Sequence, residues 1–135
     1  MNTKETTQIL AILKAAYPNS YKNMTPKEAS GTISVWAAQF ADMPVNIVLM
    51  AVQKHIGRAT FPPSVFEIKK GIQEIHWEAY DIVSDTEQFD FAKTETYEQA
   101  KAIYEITKPY RMNIPDAPKL EQMLGSGKQF LLSEG

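Results

Sequence analysis

Cysteine is absent from all 135 residues, which removes disulfide frameworks, thiolate nucleophiles and thiolate metal ligands together. Long apolar runs are missing too. The longest, around Val45 to Val52, falls well short of the roughly 20 residues that span a bilayer. The chain contains no G-x-S-x-G, no P-loop and no G-x-G-x-x-G, so acyl transfer and nucleotide binding have no motif behind them. Of the two histidines, neither His55 nor His76 has an Asp, Glu or second His four residues away, the spacing a helical zinc site uses. Both are read as structural or solvent-exposed, and no catalytic, metal or cofactor site is expected. The stretch Met1-Asn2-Thr3-Lys4-Glu5 lacks the basic, apolar, small-residue order of a secretory signal and reads instead as a helix start. A cytoplasmic protein is the expectation.

Basic charge is scarce in the second half. Residues 1–76 hold eight Lys/Arg against five Asp/Glu, whereas residues 77–135 hold six against eleven, giving the net charge of −2. Between Glu78 and Glu98 seven carboxylates face a single Lys93. They lack the spacing of a calcium loop and read as a solvated face or linker. Such a segment repels phosphate, so non-specific nucleic-acid binding by this half is not expected.

Sustained period-two alternation is also missing, and helical periodicity runs through most of the chain. A length of 135 residues suits one core that buries roughly two-thirds of the unfolded surface. The first helix is expected from about Thr3 to Ala16, with Ile9, Leu10, Leu13, Ala16 and Tyr17 on one side and Tyr17-Pro18 ending it. Thr25 caps the second, Pro26 takes its first position, Glu28 reaches back, and Trp36 anchors a stripe of Ala29, Ile33, Ala37 and Phe40. Pro44 opens the third, whose expected buried face is Val45, Val48, Leu49, Val52 and Ile56, with Gly57 as a left-handed cap. The short link between helices two and three predicts that they pack directly. Phe61-Pro62-Pro63 forms a rigid corner, after which Ser64 and Glu67 supply a capping box for the fourth helix. Ile68, Ile72, Ile75, Ala79 and Ile82 form its seam. From Ser84 to Lys93 the pattern fails and a polar linker is expected. A fifth helix follows from about Thr94 to Lys108, with Tyr97, Ala100, Ile103 or Tyr104, and Thr107 along one side. The reading is an all-α protein: a compact four-helix core over 1–83, then an acidic linker, the fifth helix and a partly flexible C-terminal extension over 84–135.

Tyr17 and Trp36 could stack on a ligand, but their helical spacing with Leu13, Ile33 and Phe40 favours core packing. Lys54, Arg58, Lys69 and Lys70 gather near the third-to-fourth helix joint and could make it a helix-turn-helix mimic. Glu67 and Glu74 among the lysines, and the proline corner, weigh against specific DNA binding.

The order Tyr17-Pro18, Thr25-Pro26-Lys27-Glu28, Trp36, Asp42-Met43-Pro44, then Phe61-Pro62-Pro63-Ser64 with Glu67-Ile68 resembles the phage and prophage replicative helicase loader-and-inhibitor family, over roughly residues 5–72. The matched positions are scaffold residues, with Trp36 and Phe61 as core and corner. The resemblance implies a small helical N-terminal domain followed by a flexible C-terminal region that contacts a hexameric, DnaB-like replicative helicase. It further implies a non-enzymatic protein that inhibits the helicase, brings it to the phage origin through an origin-binding protein, and releases it there. The alternatives are a helix-turn-helix-like DNA-binding regulator and a phage adaptor with no replication role.

Independently of the resemblance, Leu120, Met123 and Leu124 form a short amphipathic turn that Asp116 can cap and Gly125 can end, suited to docking in a groove. Phe130, Leu131 and Leu132 would extend that contact. These six residues are the expected partner-binding positions.

Overall fold

Three of the long helices begin where the sequence offers a side-chain acceptor for an otherwise unpaired amide. In this computed structural model, which describes residues 1–111, the elements are α1 (Thr3–Ala16), α2 (Pro18–Tyr21), α3 (Pro26–Gln39), α4 (Val45–Ile56), α5 (Val65–Gln88) and α6 (Glu95–Thr107), closed by a 3₁₀ helix, Lys108–Arg111. No strand occurs among the described residues. Asn2 and Glu5 form a reciprocal capping box at α1, with bonds of 2.8 and 2.9 Å. The Thr25 side chain accepts from the Glu28 amide at 3.1 Å. Ser64 and Glu67 make the expected box at α5, at 3.1 and 3.2 Å.

The core gathers Ile9 and Leu13 from α1, Trp36 and Phe40 from α3 and its end, Met43 from the following turn, Ile47, Val48 and Val52 from α4, and Ile68, Ile72 and Ile75 from α5. Phe40 lies at its centre, with the Trp36 ring 5.7 Å away and Tyr110 stacked from the other side at 6.5 Å. The Met1 nitrogen donates to the carbonyls of Phe40 and Met43, at 3.1 and 2.6 Å, tying the start of the chain to the turn after α3.

Several expectations change. The segment Pro18–Tyr21 is a helical turn rather than a loop. The buried face of α4 is Ile47, Val48, Ala51, Val52 and His55, rotated from the expected one; Val45, Leu49 and Ile56 are only half-buried. The rotation follows from two neighbours, because α4 packs on both α1 and α5. At the α5 contact a Cβ added to Gly71 would stand 3.3 Å from the Ala51 Cβ, so glycine permits the close approach. The link from α3 to α4 turns a corner, with α3 packing on α1 rather than chiefly on α4, because Phe40 and Met43 are drawn into the core at the turn itself. Gly57 is right-handed, at φ −70°. Ala16 is exposed, as is Ile82.

The expected linker from Ser84 is helical as far as Gln88. Polar side chains there find partners: the Thr86 hydroxyl donates to the Ile82 carbonyl at 2.7 Å, and Tyr97 on α6 donates to Glu87 at 2.7 Å. After a turn, α6 runs back antiparallel along α5, burying Tyr97, Ala100 and Thr107 as expected. Gln73 then donates to the Arg111 carbonyl at 2.9 Å, and Tyr110 enters the core. The helical body therefore continues to Arg111. Leu120, Met123, Leu124, Phe130, Leu131 and Leu132 lie outside the described residues.

Candidate interaction surface

The proline corner is a joint held from both sides. Tyr17 donates its hydroxyl to the Ala59 carbonyl at 2.9 Å. His55 Nε2 lies 2.8 Å from the Phe61 carbonyl, which can only accept, so this nitrogen carries a proton. Turning that carbonyl inward sends the Phe61 side chain outward, where it is 77% exposed. Phe61 is thus a corner residue and not a core one. Pro63 is buried and Pro62 half-buried. Trp36 is buried, as expected, and lines a cleft of about 180 Å³ with Leu10, Leu13, Ile33 and Pro63.

The basic edge does not survive folding as a phosphate-binding surface. Glu74 takes both Arg58, at 2.8 Å, and Lys54, at 3.6 Å, while Lys54 also pairs with Glu78. Lys69 donates to the Gln39 side chain at 2.6 Å. The helix that would read a major groove, α5, instead answers the cations of α4 with its own carboxylates. The helix-turn-helix likeness is one of connectivity alone.

Among the described residues, no three His, Cys, Asp or Glu side chains stand together as metal ligands, and no helix is long and apolar enough to cross a membrane. His76 is fully buried between α5 and α6. Its Nδ1 lies 2.9 Å from the Thr107 hydroxyl and its ring stacks on Tyr104 at 4.9 Å. Burial first, then the nearby Arg111, pushes its pKa below the usual histidine value. Tyr110, close to Asp42 and the Gln39 carbonyl, is pushed up to about 12, chiefly by burial and then by the Asp42 charge. These groups join helices; they do not converge on a cavity.

What faces outward is aromatic. Trp77 and Tyr80 stand edge to face at 5.5 Å on α5, both about two-fifths exposed. Phe89 and Phe91 stack at the tip of the α5–α6 hairpin. Sequence reading absorbed these two phenylalanines into a polar linker. Their signal was two large apolar side chains in an acidic stretch with no periodic partner.

An all-α body whose polar groups are spent on joints, and whose unspent groups are exposed rings, defines a class of small helical scaffold proteins. The model of the family described as the N-terminal domain of the phage helicase loader/inhibitor matches residues 1–69, and the chain belongs to that family. The match spans α1 to α4, the proline joint and the first turn of α5. No curated protein and no solved structure matches the chain.

Proposed function

We propose that this chain is a non-enzymatic phage replication protein that binds a DnaB-like hexameric replicative helicase, holds it inactive and loads it at the phage origin, acting in the cytoplasm with an origin-binding protein as second partner. The family match over residues 1–69 carries this reading. Residues 1–111 serve as a helical platform, and the following segment carries the apolar anchors Leu120, Met123, Leu124 and Phe130 to Leu132. A contact made through such a segment spends part of its interaction energy on ordering, which suits a partner that must later be released.

The platform sets where a truncation is informative. Removing everything from Pro109 would take Tyr110 out of the core, so the deletion should begin at residue 112. The full chain is expected to form a complex with the purified host helicase on gel filtration and to suppress its ATPase activity. The chain ending at Arg111 should keep its thermal unfolding midpoint and lose the complex. A full-length chain that forms no complex with the helicase would overturn the proposal; a truncated chain that still binds would move the contact onto the platform.

A further inference from the structure

The tip of the α5–α6 hairpin is built to hold two rings in water. The Phe89 amide donates to the Asp85 carbonyl at 3.0 Å and the Phe91 amide to the Thr86 carbonyl at 2.9 Å. Asp90 between them is left-handed, at φ 54°. This is the six-to-one closure that ends many helices, with aspartate where glycine is usual. Asp tolerates that conformation better than most side chains, though less well than glycine. In such closures the residue after the left-handed one commonly packs back on its own helix. Here Phe91 stacks instead on Phe89, at 5.6 Å and 30°, leaving the two rings 59% and 58% exposed.

Asp85, Glu87 and Asp90 surround the rings, and Glu95 and Glu98 open the adjoining α6. The nearby cation, Lys93, lies over the Tyr97 ring at 5.6 Å. Acidic surroundings disfavour nucleic acid and anionic lipid as the occupant. They also disfavour a second copy of this chain, since a two-fold contact would set the same carboxylates against each other. Exposed aromatic anchors inside a charged rim are the ordinary composition of a protein-binding hot spot.

We infer that Phe89 and Phe91 form an anchor that inserts into an apolar pocket rimmed by lysine and arginine on a protein partner. Resting on the proposed function, that partner is the helicase, and the tip is a second point of attachment. It lies outside the family match, which ends at residue 69, so it is a feature of this chain's own second half. Two linked attachments bind more tightly than either one alone by effective concentration, without further contacts.

The test measures helicase affinity of the full chain, of Phe89→Ala/Phe91→Ala and of Asp90→Gly, at low and moderate salt, with far-UV circular dichroism as the folding control. The double variant should bind about 10-fold or more weakly, as loss of aromatic anchors does elsewhere, with unchanged helicity. Asp90→Gly, which keeps the turn and both rings, should bind nearly as the parent does and with a shallower salt dependence. Parent-like affinity in the double variant overturns the anchor while leaving helicase binding in place. A parent chain that fails to bind the helicase overturns the proposed function itself. Concentration-dependent self-association that the double variant abolishes would assign the tip to a second copy and overturn this inference.

Discussion

Thr107 Oγ1 donates to the Ile103 carbonyl at 2.7 Å and lies 2.9 Å from His76 Nδ1. A hydroxyl has one proton to give, so toward His76 it accepts, and the imidazole carries its hydrogen on Nδ1. Nε2 is then a buried acceptor with no partner among the described residues. Thr107→Val should leave both ring nitrogens unsatisfied and cost about 1–3 kcal/mol. Urea denaturation of parent and variant at neutral pH measures the difference.

The same geometry predicts acid sensitivity. Burial, with Arg111 and Lys108, holds the His76 pKa below its ordinary 6.5, against a weaker opposing effect from the Tyr104 backbone. Below that pH the unfolded chain binds more protons than the folded one, so stability is full above it and declines as pH falls beneath it. His76→Phe retains a ring and removes the titration. Its urea midpoint should change less between pH 8 and 5 than the parent's, and an unchanged slope would refute the assignment.

At the alkaline end Tyr110 acts with the opposite sign. Its pKa is raised from 10.0 to about 12, so its contribution is complete below pH 10 and is lost as pH rises toward 12. A shift of that size corresponds to roughly 2–3 kcal/mol. Tyr110→Phe should flatten this part of the stability profile, measured between pH 9 and 11.

Trp36 is buried beside Phe40, and Trp36→Ala should cost on the order of 3–5 kcal/mol. Chemical denaturation followed by circular dichroism reads the loss without relying on the indole. A negligible change would mean that the side chain serves a partner instead of the core.

Gly71 meets Ala51 where α4 crosses α5. Gly71→Val should force the helices apart and cost about 1–3 kcal/mol through overpacking. A thermal midpoint equal to the parent's would show that the contact yields without strain.

The helix starts were legible because each depends on residues three apart: Thr25 with Glu28, and Ser64 with Glu67. The faces of α1, of most of α5 and of α6 were also legible, since the apolar spacing of each matches one packed side. On α4 apolar residues cover too much of the circumference for spacing to choose a face. The candidate anchor at Phe89 and Phe91 was hidden by composition, because the polar residues around it resembled a linker until α6 folded back and gave Thr86 and Glu87 a structured setting.

By itself, then, the sequence determined an all-α chain with its capped starts, its proline joint and its family, because caps, corners and their order are local properties of the covalent chain. The tertiary structure alone decided that Phe40 rather than Trp36 sits at the centre, that Phe61 faces outward, and that Glu74 and Glu78 neutralise Lys54 and Arg58. Each of these rests on partners far apart in the chain, such as Phe40 with Tyr110. Such pairings are set by how the helices share one core, which no local pattern encodes.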